Sequence, residues 1–333
     1  MTSRRRRIGL YIAAALISLV ATEIGLRLFA PDLGWLMRLF EKTDDPRPYV
    51  LKPNAKVEYG GLGSRLGRTI LWQINDQGLR DDRTIGPHSN RFRVITYGDS
   101  QAFGWSVTLD ETFQRRMEAI DGRVEVLNLG IPGYNIADSN EHLARTLKAF
   151  DPDLAIFLST NNDFDESLEI GTIWARARIL MWIRLIDQML FKKAERKALR
   201  RSPERIQFFA DQVDRMIHFC EHHGVPLIIG FLRSKNHQDL LDHLRPDSWL
   251  ATHPDGVGSD GFKLELVSLD ASIRNIPDVD KHLSAPAYEV VAKLFCRQIS
   301  ASEQGDRCVP TGWIARRQME SSAFRVGSFP RGN

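Results

Sequence analysis

The stretch VITYGDSQAFGW, residues 94 to 105, decides how the rest of the chain is read. Val94, Ile95, Thr96 and Tyr97 are β-branched or aromatic, too few for a helix, and they stop at a glycine. They read as a short strand ending at Gly98, with Asp99 and Ser100 directly beyond it. The same pattern recurs downstream. Val124, Val126 and Leu127 form a strand ending at Asn128, Leu154 to Leu158 a third, Val225 to Phe231 a fourth and Leu264 to Leu269 a fifth. Between them lie helical periodicities at Leu109 to Ile120, Ala137 to Phe150 and Glu204 to His222. A last one runs from Ala285 to Ile299, with Ser284 in position to cap it. Short apolar strands alternating with helices predict an α/β fold: a doubly wound, mostly parallel five-stranded sheet with helices on both faces. Such sheets place their chemistry beyond the carboxyl ends of the strands, where Ser100 falls.

Outward from this core the sequence changes character. Residues 31–90 read as loops and short strands, with a strand at Thr69 to Ile74 and a turn at Asn75 to Gly78. Residues 171–201 break the strand and helix alternation with an amphipathic run that sets Trp174, Ile179, Trp182, Ile183, Ile186 and Leu190 among arginines and lysines. Residues 300–333 lack periodicity and are expected to be poorly ordered. The domain plan is therefore 1–30, 31–90, 91–299 with an insertion at 171–201, and a tail at 300–333.

The chain is 43% hydrophobic and 26% charged with a net charge of +3, which excludes a disordered or fibrous protein. Arg4, Arg5, Arg6, Arg7 and Arg27 face only Glu23 in the first 30 residues, so the rest is close to neutral. This concentration argues against a nucleic-acid partner. The arginines abut an apolar stretch from Ile8 to Ala30, long enough as a helix to cross about 30 Å of hydrocarbon. Positive charge before the span keeps that end cytoplasmic and sends the remainder across, giving a single-pass anchor in the cell inner membrane with the body on the periplasmic side. A cleaved secretory signal, releasing the body, has the same outline. Cys220, Cys296 and Cys308 lack metal-ligand spacing, so no metal is expected. In an oxidising compartment Cys296 and Cys308 can pair and staple the tail to the last helix.

A serine after a strand is inert until a base takes its proton. Of the nine histidines, His282 is the one that follows the fifth strand and precedes the last helix, on the same side of the sheet as Ser100. Asp280 is set to orient its imidazole, with Asp278 as a rival. Acyl chemistry at the serine also needs donors for an oxyanion. Gly133, in NLGIPGYN after the second strand, offers a backbone N–H. Asn162, in STNNDF after the third, offers a side-chain amide.

These four blocks resemble the SGNH hydrolases, also called GDSL esterases and lipases. VITYGDSQAFGW carries Ser100, VLNLGIPGYN carries Gly133, LSTNNDF carries Asn162 and DKHLSAPAYEVVA carries His282, in the family's order over about residues 92–299. Two features depart from the family's pattern. Thr160 stands where the third block usually has glycine. The acid often lies three residues before the histidine, where this chain has Val279; a two-residue spacing also occurs in the family, so Asp280 is favoured. NDQGLR at 75–80 and the arginine-flanked anchor resemble a membrane-attached, extracytoplasmic branch. The resemblance implies a serine-dependent ester hydrolase, carboxylesterase-like, lipase-like or a carbohydrate deacetylase, working through an acyl-serine without a cofactor. Its substrates would be ester-bearing lipids, small esters or acylated saccharides. An O-acyltransferase acting on cell-surface polysaccharide or glycolipid uses the same residues, and a non-catalytic binding or scaffold protein is the reading outside enzymes. A nucleotide-dependent enzyme is disfavoured because neither GxGxxG after the first strand nor GxxxxGK[ST] is present.

The charge asymmetry makes a topological prediction. A tag joined after Asn333 is expected to be digested by protease in sealed cells opened only at the outer face. A tag that stays protected there would overturn the orientation.

Overall fold

The computed structural model describes residues 2–29, 38–60, 66–164, 202–259, 262–279, 281–302, 304–310 and 312–313. The amphipathic run at 171–201 and Asp280 lie outside them.

Helix α1 spans Thr2–Phe29. It contains a 19-residue apolar stretch, Arg7–Gly25, none of it buried. That length and composition suit either a membrane anchor or a signal sequence. Two small antiparallel ladders follow, β1 (Phe40–Glu41) with β2 (Val50–Leu51) and β3 (Lys56–Gly60) with β4 (Thr69–Gln73).

The central sheet is built from β5 (Phe92–Gly98), β6 (Val124–Asn128), β7 (Leu154–Ser159), β8 (Leu227–Phe231) and β9 (Leu264–Ser268). All four pairings are parallel and the order is β6-β5-β7-β8-β9. All five expected strands are therefore present in one sheet, and its order changes direction at β5, beside β7. Period-two alternation divides the strand residues between two cores. Ile95, Tyr97, Leu127, Phe157 and Ile229 face one side, where α4 (Ile136–Phe150) and α5 (Pro203–His222) cover them. Val94, Val126, Ile156 and Ile228 face the other, against α3 (Phe113–Ile120) and α7 (Ala285–Ser300). Between α5 and α7 lies α6 (Ser234–Asp242). The one-turn helix α2 (Ser100–Phe103) directly follows β5.

The amino-terminal ladders form a third core laid against the sheet's edge of loops. Tyr49, Leu51, Val57, Ile70 and Trp72 pack with Phe103, Trp105, Ile131 and Tyr134 from the central body. Each of those four lies within or just after the blocks that carry Ser100 and Gly133.

Three local expectations are corrected. The helix expected from Leu109 breaks at Thr112: a 3-10 turn (Leu109–Glu111) precedes α3, and the Thr112 side chain caps α3 by accepting from Arg115 N–H. Ser284 occupies the N-cap of α7, but its hydroxyl makes no capping bond. Pro286 supplies no N–H in the first turn, which removes one of the donors a capping oxygen would use. Of the tail expected to lack order, 314–333 lie outside the described residues, while several residues of 304–310 and 312–313 are packed on the body. Cys308 is joined to Cys296 by a disulfide, Cys308 and Val309 are buried, and Trp313 meets Phe92 edge-on at 5.5 Å. A covalent link anchors these residues where apolar periodicity does not.

His142, in α4, shows how the amino-terminal segment is fastened on. Its Nδ1 accepts from Arg47 Nη1 at 2.9 Å, and Arg47 is paired with Asp45. Because arginine only donates, this imidazole is neutral with its proton on Nε2. Burial, aided by the Arg47 charge, holds its pKa down at about 3. A base depressed in the folded state keeps its full contribution above the unfolded value of 6.5 and loses it as pH falls towards 3, because the unfolded chain takes up the proton first. In urea titrations between pH 7 and 4, His142→Gln should therefore lose stability less steeply than the parent, by up to about 1.4 kcal/mol per pH unit. Equal slopes would show that His142 is not the group responsible.

Candidate active site

The nucleophile block is held by geometry that an ordinary side chain would obstruct. Gly98 has φ +142, and a Cβ there would stand 2.8 Å from Leu158 O and 2.9 Å from Ala102 Cβ. Asp99 then caps α2, its Oδ1 accepting from Gln101 N–H at 2.8 Å, and Ser100 is the first helical residue. At the other end of α2 the guanidinium of Arg80, 1% exposed, donates to the carbonyls of Phe103, Gly104 and Val107 and lies over the Phe103 ring at 4.5 Å. Burial lowers its pKa to about 9, so it remains a cation at neutral pH, aimed at the carbonyl end of the turn.

His282 arrives from the far side of the sheet. Val279 and His282 exchange backbone hydrogen bonds of 2.8 and 2.9 Å across a tight turn in which Lys281 has φ +63. The imidazole Nε2 lies 2.8 Å from Ser100 Oγ, between residues 182 apart in sequence. Trp105 stacks on the imidazole at 5.7 Å and 25°, and Trp105 is itself packed on Trp72, whose Nε1 donates to its carbonyl at 3.1 Å. Asp278 is exposed.

The Gly133 loop is tied to the end of β5 by Ile131 N–H, which donates to Gly98 O at 2.9 Å. Tyr134 N–H closes a turn on Ile131 O at 3.1 Å, with Pro132 at its second position and Gly133, φ +86, at its third. A positive φ at that position suits glycine. Tyr49, from the amino-terminal segment, donates its hydroxyl to Pro132 O at 2.7 Å, and Tyr134 donates back to the Tyr49 carbonyl.

Asn162 reaches the serine's neighbour. Its Nδ2 donates to Asp99 Oδ2 at 2.7 Å, and that oxygen also accepts from Thr160 Oγ1 at 2.9 Å. Thr160 Oγ1 accepts in turn from Asn162 N–H at 3.2 Å. The threonine found where glycine is usual thus joins the asparagine to the buried carboxylate. Burial raises the Asp99 pKa, while the N–H of Gln101, the Thr160 hydroxyl, the His282 charge and the Asn162 amide pull it down. With three donors converging on its two oxygens, Asp99 serves as an acceptor.

Ser100 and His282 are therefore in contact, Asn162 is bonded to the carboxylate next to Ser100, and Gly133 stands in a loop bonded to the same strand end. Asp280 is outside the described residues. Asp99, Arg80, Trp105 and Tyr49 are site residues that sequence reasoning misses. For Asp99 the available signal is a charged residue directly beside a strand-end serine. Arg80 lies within the NDQGLR motif, where nothing local assigns it a task. Among the described residues, no three His, Cys, Asp or Glu side chains gather in a way that could hold a metal ion.

No protein-family model and no curated protein matches the chain. Solved structures do. A GDSL-like lipase from Bacteroides thetaiotaomicron is 11% identical, covering 66% of this chain and 92% of its own, with a TM-score of 0.42. A member of the lipolytic G-D-S-L family from Veillonella parvula is 12% identical over 63% of this chain and 99% of its own, with a TM-score of 0.41. The psychrotrophic esterase EstA from a Pseudoalteromonas species is 10% identical over 63% and 97%, also with a TM-score of 0.41. At these identities and scores the likeness carries neither activity nor substrate to this chain.

The tight exit from β5 makes a prediction independent of function. Gly98→Ala should lower unfolding stability by about 2 kcal/mol or more, since it combines positive φ with contacts under 3 Å. A urea midpoint unchanged from the parent would mean that the turn has room to relax.

Proposed function

We propose that the chain is a serine-dependent ester hydrolase in which Ser100 is the nucleophile, His282 the base, Asp280 the residue orienting His282, and Gly133 and Asn162 the oxyanion donors. The observation that carries this reading is the 2.8 Å contact between Ser100 Oγ and His282 Nε2 at the carboxyl end of a parallel sheet. An imidazole with Nε2 facing the hydroxyl is poised to accept its proton as the oxygen attacks an ester carbonyl. The negative oxygen of the tetrahedral intermediate is held by the Gly133 N–H and by the Asn162 amide. That amide carries two hydrogens, so the bond to Asp99 aims it and leaves the second for the oxyanion. Collapse expels the alcohol, which takes the proton from His282 and leaves Ser100 acylated. Water then attacks the acyl-serine, gives its proton to His282 and releases the acid as Ser100 recovers its hydrogen.

Asp280 is preferred to Asp278 on its two-residue spacing before His282, as the family resemblance implies. The setting proposed is the periplasmic face of the inner membrane, anchored through α1. The disulfide between Cys296 and Cys308 supports it, because such bonds persist in oxidising compartments. Ester-bearing lipids, small esters and acylated saccharides are the proposed substrate classes.

A fluorophosphonate probe tests the site directly. Capture should be abolished in Ser100→Ala and suppressed in His282→Ala. Asp280→Asn should slow it more than Asp278→Asn. Asn162→Ala should retain capture but raise the barrier to ester turnover by about 2.7 to 4 kcal/mol. Peptide mapping that finds the adduct on a residue other than Ser100 would sink the mechanism.

A further inference from the structure

The loop that carries His282 has to be brought to Ser100 from the other end of the sheet, and one side chain bridges the gap on both flanks of the histidine. Gln101, the residue after Ser100, donates from Nε2 to Lys281 O at 3.1 Å and accepts at Oε1 from Leu283 N–H at 3.0 Å. Lys281 and Leu283 are the immediate neighbours of His282. The side-chain amide of Gln101 therefore does what a peptide group does in a β-ladder, offering one donor and one acceptor to complementary main-chain groups. Two further bonds tie the same pair of segments: Ser106 Oγ donates to Leu283 O at 2.6 Å, and Tyr288 donates its hydroxyl to Gln101 O at 2.6 Å. The His282 loop is a tight turn with Lys281 in the left-handed region, closed internally by the Val279 and His282 backbone pair. Those internal bonds shape the turn without fixing its distance from Ser100. The Gln101 bridge spans that distance directly, from the first turn of α2 to the backbone on either side of the imidazole.

Resting on the catalytic reading of Ser100 and His282, we propose that Gln101 is a positioning residue that sets the distance between nucleophile and base. A glutamine is suited to this task. Leucine or methionine of similar size fills the space but offers neither bond. Asparagine is one methylene too short to span both groups. Glutamate keeps an acceptor for Leu283 N–H and presents a second oxygen to the Lys281 carbonyl, where a donor is needed. Since a displacement of about 1 Å at a reacting pair can cost on the order of 100-fold in rate, loss of the bridge should act on the chemical step and not on binding.

The test uses the full chain in detergent and the fluorophosphonate probe, with the maximal capture rate and the half-saturating probe concentration measured separately. Gln101→Met should lower the maximal rate by about 10- to 100-fold, with the half-saturating concentration within about twofold of the parent. Gln101→Glu should fall in between. Hydrogen exchange of the Leu283 amide should quicken in Gln101→Met while exchange in the sheet strands is unchanged. If Gln101→Met does not fold, Gln101→Glu carries the same comparison against the parent. A maximal rate at the parent level in the folded variant, with His282→Ala still inactive, would overturn the bridge and leave the catalytic reading standing. Parallel losses in rate, probe saturation and sheet protection would also overturn it, since they mark general packing. Undiminished capture by His282→Ala would remove both.

Discussion

A parallel sheet delivers the carboxyl ends of all its strands to one edge, and here that constraint assembles the site. Ser100, Gly133, Asn162 and His282 follow four different strands, and the outermost two lie 182 residues apart. Strand pairing brings them to the same edge, but a ladder of hydrogen bonds fixes a strand's register and leaves the loop beyond it free to move. Side-chain hydrogen bonds hold those loops. Arg80 holds the end of α2, Tyr49 the Gly133 turn, Asp99 the Asn162 amide, and Gln101 with Ser106 the His282 turn.

The residues proposed to carry the chemistry are legible in the sequence because their type and place after a strand convey the message. A serine, a glycine, an asparagine and a histidine, each in the connection that follows a strand, can be read from order alone, as can the sheet that presents them. The residues that hold them in place are illegible for the opposite reason. Gln101 matters through Lys281 and Leu283, and Tyr49 through Pro132, and neither relation leaves a trace in local periodicity. Thr160 shows the same point: as a departure from the usual glycine it reads as a defect, whereas its hydroxyl is a link between Asn162 and Asp99. Ser284 errs in the other direction. Its position before α7 is plain in the sequence, but the hydrogen bond that position implies is not made.

Electrostatics follow the same division of labour. The buried cation of Arg80 meets carbonyl oxygens and an aromatic face, which suit a charge at the end of a helical turn. The buried carboxylate of Asp99 meets three donors from three residues. Each buried charge thus fastens loops together, and each depends on partners from separate stretches of the chain.

The contact of the amino-terminal ladders with the Gly133 and Trp105 loops bears on how this protein can be divided. Tyr49 and Trp72 hold main-chain groups at the rim of the site, and their hydrophobic cluster includes Phe103, Trp105, Ile131 and Tyr134. The segment that carries the two ladders is therefore packed behind the loops of the candidate site and is not a mere tether. A water-soluble fragment cut at the start of β5 would leave that packing behind and uncover Trp105. One that begins before Leu39 would retain it, separating the body from its apolar helix with the packing of Trp105 and the Gly133 loop intact.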